Sequence, residues 1–597
     1  MASEFDFGTD EDSLELRKLN DAVLQDPEDF SAWEALITKA ESQEGGLNRN
    51  SNPNSITFAR LAYDKFLAKF PLYFGFWKKY ADMEFSIAGT EAAEMVYERG
   101  VASVSNSPDL WQSYCGFKAD TTHDNEVIRE LFERGASCVG IDFQCQPFWD
   151  KYIEFEERLE AQDKVFQILE RVIHIPCDQF QRYFDLFTRH AQHRPIADLA
   201  PEEVIAQFKS EIEMESGQKE LSELELERRL RERLHSFHQE IFNHTQTEVM
   251  KRWNFEKSIK RPYFHIFELE EAELVNWRKY LDFEEVEGDH ERTRFLYDRC
   301  LVTCALYDEF WLRYARWMMA QQGKEEEVRI IYQKASTIYV PISRPHIRHQ
   351  YALFEEMSGR PDVAEAIYQA ILLETPQHID TILSWSSLQR RQKGFEAAIA
   401  VLKDQIDSQT TDIYIKGALV AEWARLIWKV KGSVEEARQI YQKQQQWYLD
   451  VKRFWISYFN FELEQPTSKE TEEVQYARIR NVVDDVRRKT QLPPAVIKDI
   501  VHYYQVYLLD RGVKDVAKEY LTLDKEVNGP FSVQSVSKTK LAEDGKESTT
   551  DRRLAMENGH PGVAVDDSAI RRGENPYTKY YQQQGETEAV NAPLRYS

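Results

Sequence analysis

No window of the 597-residue chain approaches the roughly 20 consecutive apolar residues that a membrane-spanning helix needs, so no membrane association is expected. Cysteine is scarce: Cys115, Cys138, Cys145, Cys177, Cys300 and Cys304 are scattered, without a disulfide framework or paired CxxC zinc spacing. That usage fits a reducing intracellular compartment. The opening residues, MASEFDFGTDEDSLEL, lack the basic-then-apolar order of a signal peptide, and residues 1–20 are expected to be an acidic, disordered N-terminus. Basic charge is also in deficit, with 76 Lys and Arg against 102 Asp and Glu and a net charge of −26. Such a surface repels phosphate, so contact with RNA has to be local or made through a partner. A Walker loop, a dinucleotide-binding glycine pattern and a nucleophile elbow are all missing, and no catalytic or cofactor-binding residue emerges.

What the chain does have is a repeat. The segments FWKKYADMEF, FWDKYIEFEE, NWRKYLDFEE and FWISYFNFEL share Trp, Tyr and Glu at i, i+3 and i+7: Trp77/Tyr80/Glu84, Trp149/Tyr152/Glu156, Trp277/Tyr280/Glu284 and Trp455/Tyr458/Glu462. That spacing places the three on one face of an amphipathic helix. Looser copies start at Trp111/Tyr114 and Trp311/Tyr314. A second helix follows, carrying a ring 20 or 21 residues after the Trp and a small residue three further on: Tyr97 to Gly100, Phe132 to Gly135, Tyr297 to Cys300 and Tyr332 to Ala335. Prolines such as Pro108, Pro147, Pro341 and Pro376 separate the units, and in degenerate copies Arg348, Ile382 and Val420 replace the Trp. A single helix pair cannot bury such an aromatic face, so neighbours must stack. The expectation is an all-α fold, an α-solenoid of about a dozen helix pairs. The recurring carboxylates read as structural, because an active site does not come in four copies.

The register is lost between residues 196 and 262, where a charge-dense segment with Leu221, Leu224, Leu230 and Leu234 at helical spacing predicts a long connector helix ended by Pro262. Two solenoid halves, 21–195 and 263–525, flank it. Residues 526–597 are polar and predict a disordered tail, in which Tyr577, Tyr580 and Tyr581 cluster. At the junction, KSIKRPYFHIFELEE offers Lys257, Lys260 and Arg261 as a candidate RNA or partner patch. Its rings Tyr263, Phe264 and Phe267 are expected to bury against the first pair of the second half. His235/His238 and His346/His349 have a spacing that a metal could use, but no partner set, and no metal site is assigned. Rings and aliphatics crowd the last repeat, where a terminal unit should be polar. Tyr503, Tyr504, Tyr507 and Leu508 are therefore candidates for a dimer interface within residues 455–525.

The Trp-Tyr-Glu helix and the ring-Glu-Arg-small helix resemble the HAT, or half-a-TPR, motif of RNA-processing proteins. The long run FEKSIKRPYFHIFELEEAELVNWRKYLDFEE, continued by ERTRFLYDRCLVTCALYDEFWLRYARWM, resembles the middle of the pre-mRNA-processing factor 39 family. The resemblance implies a nuclear, non-catalytic scaffold of the U1 small nuclear ribonucleoprotein that supports 5′ splice-site recognition and early spliceosome assembly. It implies contacts with U1 proteins, particularly the zinc-finger C subunit, and a homodimer or a heterodimer with a paralogous HAT protein, with RNA contacted mostly indirectly. Two other readings remain: a HAT scaffold that binds RNA directly, and a scaffold of pre-mRNA 3′-end cleavage and polyadenylation.

Overall fold

The computed structural model describes residues 11–216, 222–511 and 513–528, and among them every regular element is helical, with twenty-six α-helices and short 3-10 and π segments. Two compact units divide the chain, Met1–Thr375 and Pro376–Ser597. In the first, successive antiparallel pairs include Phe74–Ala88 with Thr90–Ser103, Pro108–Thr121 with Asn125–Val139, and Gln146–Arg158 with Gln162–Val172. Later pairs are Glu271–Glu287 with His290–Thr303, and Asp308–Met319 with Glu325–Lys334. The second unit has the same construction, for example Lys452–Leu463 with Glu472–Lys489 and Pro494–Asp510 with Val516–Asn528. This is an α-solenoid.

Local chemistry sets the helix ends. Ser107 accepts from the Leu110 amide ahead of Pro108, and Asp124 and Asp289 cap the helices that follow them. Gly89, at φ +89, makes the tight turn inside the first of these pairs. The repeated Trp is the hub of each pair. Trp77, Trp111 and Trp311 donate their indole N–H to the carbonyls of Pro71, Ser105 and Ala305, six residues upstream, at 2.7–2.8 Å. Each therefore fixes the loop that delivers its own helix. Gly100 faces Trp77 so closely that an added Cβ would lie 3.1 Å from its ring, and at Gly135 the distance to Phe148 would be 2.6 Å. The small residue is thus a packing requirement. Where Arg348 replaces Trp, its buried guanidinium does the same work, donating to the carbonyls of Ser336, Val340 and Pro341 at 2.6–3.0 Å.

Three expectations are corrected. Residues 11–20 are helical, within Glu11–Gln25, because Leu16 and Val23 bury against the first repeats. The connector is two helices, Glu202–Ser216 and Glu223–Lys257, rather than one. The second ends at Lys257, ahead of Pro262, where Asn276 of the next helix caps the Phe255 carbonyl at 2.9 Å. Of the connector leucines, Leu230 and Leu234 are buried and Leu224 is exposed, while Leu221 lies outside the described residues. The stretch of tail after Asn528, with its three tyrosines, also lies outside them.

Candidate interaction surfaces

All fifteen repeat-core rings, from Trp77 to Tyr458, are buried. Their arrangement is a stack that runs from each helix pair to the next. The ring of one second helix lies flat on the Tyr of the following first helix: Tyr97 on Tyr114 at 5.1 Å and 8°, Tyr297 on Tyr314 at 4.7 Å and 12°, and Tyr441 on Tyr458 at 4.7 Å and 7°. Beside each stack runs an ion pair. The repeated Glu, four residues after the Tyr, accepts two hydrogen bonds from an Arg three residues before the preceding ring. Arg252 Nε and Nη2 donate to Glu284 at 2.6 and 3.0 Å, and Arg438 to Glu462 at 2.6 and 2.9 Å. Arg60–Glu84 and Arg129–Glu156 repeat the two-bond pairing at 2.6–2.8 Å, and Arg329 gives Glu355 a single bond at 2.8 Å. Between Tyr97 and Tyr114 the charges are exchanged, with Lys118 donating to Glu94 at 2.7 Å. Hydrogen bonding offsets the cost of burying such charges, and in the bidentate pairs the fork of Arg satisfies both carboxylate oxygens.

The Glu-Arg of the second-helix signature builds a further chain. Glu98 accepts from the Tyr114 hydroxyl and from Arg134, both at 2.7 Å, and Glu133 likewise accepts from Tyr152 at 3.0 Å and Arg171 at 2.7 Å. The same arginines lie over the indoles, Arg134 over Trp111 at 5.3 Å and Arg171 over Trp149 at 5.2 Å. Burial, reinforced by Asp64 and Glu84, pushes the Tyr80 hydroxyl up to about 12, so these phenols remain donors throughout the physiological range. Sequence reasoning missed both Arg sets as partners. It also missed that the connector's last turns act as a repeat helix: Phe255 stacks on Tyr280 at 4.9 Å and 6°, and Glu256 binds Tyr280 and Arg299. The R-x-x-ring spacing at Arg252/Phe255, shared with Arg129/Phe132 and Arg438/Tyr441, was the available signal.

The junction patch is largely occupied by its own chain. Lys260 pairs with Glu270 at 2.7 Å, Arg261 donates to the Phe267 carbonyl at 2.8 Å, and Lys257 is exposed. Of its rings only Phe264 is buried, edge-on to Tyr73 of the first repeats at 5.2 Å. Tyr263 and Phe267 are exposed, because Phe267 stacks on His265 instead of entering a core. In the last repeat Tyr504 and Leu508 belong to the chain's own core and Tyr507 is half-buried, which leaves Tyr503 as the one exposed candidate of the four. The face exposed beside it carries Val506 and Leu509, with Val513 and Leu521 also exposed nearby in sequence. His238 is buried, donating from Nε2 to the Leu199 carbonyl at 2.9 Å, and His346 faces Asp308 at 3.6 Å. Among the described residues no group of three or more His, Cys, Asp or Glu is placed to hold a metal ion.

Stacked pairs with aromatic cores, and charge spent on joining one pair to the next, define the class: a HAT-repeat α-solenoid. The chain belongs to the pre-mRNA-processing factor 39 family. The PRP39 N-terminal HAT repeat family matches residues 17–189 and the PRP39 C-terminal HAT repeat family residues 250–391. Pre-mRNA-processing factor 39 of Schizosaccharomyces pombe is 47% identical over 595 residues, covering 97% of both chains. The Homo sapiens protein of that name is 32% identical over 451 residues, 71% of this chain and 65% of its own length. The U1 small nuclear ribonucleoprotein component PRP42 of Saccharomyces cerevisiae is 23% identical over 309 residues, 50% of this chain and 56% of that protein. Among solved structures, CSTF-77 superposes with a TM-score of 0.46 at 11% identity, over 76% of this chain and 95% of that one.

Proposed function

We propose that this chain is a non-catalytic, nuclear scaffold of the U1 small nuclear ribonucleoprotein in pre-mRNA splicing, supporting 5′ splice-site recognition and early spliceosome assembly through protein contacts. The observation that carries this reading is 47% identity, end to end, with a pre-mRNA-processing factor 39. The similarity to a protein named as a U1 component points the same way. The ion pairs and rings that recur along the chain are consumed in holding repeats together, which suits a framework that presents surfaces. RNA contact is read as mostly indirect: the chain carries a net −26, and Lys260 and Arg261 are engaged by Glu270 and the Phe267 carbonyl. The partners proposed are U1 proteins, the zinc-finger C subunit among them.

Self-association, or pairing with a paralogous HAT protein, is proposed through the terminal repeats, with Tyr503, Leu509 and Leu521 as the exposed apolar contacts. Purification of the tagged chain from nuclear extract should bring down U1 RNA and U1 proteins; their absence sinks the reading. Sedimentation of a Leu509→Asp/Leu521→Asp variant should show a monomer where the parent chain is a dimer. An unchanged mass would remove these residues from the interface.

A further inference from the structure

One ion-pair position along the solenoid is left open. Arg294 stands three residues before Tyr297, as Arg252 and Arg438 stand before their rings, and Tyr297 stacks on Tyr314 in the usual way. Four residues after Tyr314, however, the chain has Met318 where the other repeats with this Arg have Glu84, Glu156, Glu284, Glu355 and Glu462. Arg294 therefore lacks a carboxylate fork; its nearest acid is Asp298 at 3.9 Å, and its side chain is 64% exposed. It lines a cleft of about 350 Å³ together with Lys334, Lys324 and His290. The loop holding Ser105 and Asn106 also lines the cleft. Leu301, Val302, Met318 and Ile331 contribute apolar wall, and Ile330 is 48% exposed at the rim.

Two acids share the cleft, and both are accounted for. Glu327 is held by Lys324 at 2.7 Å. Asp298 occupies the signature position that elsewhere binds an Arg, but the matching residue in the next helix is Lys334. Asp298 is 42% exposed at its side chain and stands 3.9 Å from Arg294, a separation at which a pair contributes little. What remains is a guanidinium and an ammonium at one cavity, beside aliphatic surface. One incoming carboxylate would give both cations a charge-assisted hydrogen bond.

We infer that this cleft is a docking site for an acidic peptide segment of a partner protein, taking an Asp or Glu carboxylate between Arg294 and Lys334 and a neighbouring apolar side chain against Ile330. Charge complementarity and the aliphatic wall argue for a peptide over RNA. Of the rings lining the cleft, Trp311 and Tyr314 are buried, while the half-buried Tyr339 and the exposed His290 are already stacked on Trp311 and Trp317. The site does not depend on which ribonucleoprotein the chain serves.

The test is selection of a displayed random dodecapeptide library on the full-length chain, followed by affinity measurements with the enriched peptides and with a random twelve-nucleotide RNA pool. Enriched peptides should carry an acid next to an aliphatic or aromatic residue. Their binding should weaken at least tenfold in Arg294→Gln, and equally in Met318→Glu, which supplies Arg294 with an internal carboxylate as Glu284 and Glu462 do in their repeats. Replacing the peptide acid by its amide should cost as much. Unchanged melting of both variants would show that the fold is kept, and if one variant unfolds the other carries the measurement. Failure to enrich acidic peptides, equal binding by parent and variants, or an Arg294-dependent preference for the RNA pool would each overturn the proposal.

Discussion

The position at Arg252 and the position at Arg294 use the same residue at the same place in the repeat, yet they differ in almost every physical respect. Arg252 and Glu284 are each 2% exposed and joined by two hydrogen bonds, with Arg252 also reaching Glu248 at 2.6 Å. Arg294 is 64% exposed and faces an acid at 3.9 Å. The first is a closed joint between successive helix pairs; the second is an exposed arginine whose acid is a single residue one turn along its own helix. A repeat protein can thus create a binding position by omitting one member of a pair that it fills elsewhere, without altering the backbone that presents it.

The largest effect should come from breaking a closed joint. Glu284→Ala takes two buried hydrogen bonds from Arg252 and leaves it Glu248 as its one carboxylate, a loss of about 2–3 kcal/mol. Arg294→Ala, at an exposed position, should cost no more than about 1 kcal/mol. Urea unfolding of the two variants side by side measures the contrast, and equal midpoints would mean that burial does not separate the two positions. The cost at Glu284 belongs to the charge left behind, so replacing both partners by apolar residues, Arg252→Met with Glu284→Leu, should recover most of it.

This contrast also explains what could be read from the chain in advance. The Trp, Tyr and Glu of the first helix were legible because their spacing repeats on one helix and needs no knowledge of neighbours. Their arginine partners lie 24 to 32 residues upstream and are recognisable only once it is known which helix stacks on which. For the same reason the open position at Arg294 was invisible: Met318 is an ordinary apolar residue until the acids of its counterparts are seen to be paired. In the last repeat periodicity located an apolar helix but not which side its neighbour covers, so Tyr504 and Leu508 were grouped with Tyr503 although they face inward. The junction rings erred similarly, with Phe264 buried and Phe267 not.

A middle case tests whether the joint needs a particular polarity. Lys118 and Glu94 exchange the usual signs and are partly buried, 15% and 24% exposed. Removing either charge should cost about 1–3 kcal/mol, because a hydrogen bond to an ionised group is lost and its partner is left. Exchanging both, Glu94→Arg with Lys118→Glu, would restore the order found at Arg252/Glu284. A double-mutant cycle should then return a favourable coupling, with the exchanged protein close to the parent. No coupling would mean that the ring stack of Tyr97 on Tyr114 suffices there.

The smallest effect concerns a seam that uses no ion pair. The second connector helix meets the first repeats through His238, whose ring lies edge-on to Phe187 at 4.8 Å and donates to the Leu199 carbonyl. Burial lowers its pKa below the usual histidine value, the Leu199 carbonyl works against that, and His235 and His174 add to it. Between the folded pKa and the unfolded value near 6.5, the unfolded chain binds the proton and the folded chain does not. Stability from this group is therefore complete above about pH 6.5 and is lost as pH falls through the folded pKa. The melting temperature should decline modestly from pH 7 to pH 5.5 in the parent, and less so in His238→Gln, which keeps a donor toward Leu199. Identical slopes in the two proteins would assign the decline to other groups and remove the connector seam as its source.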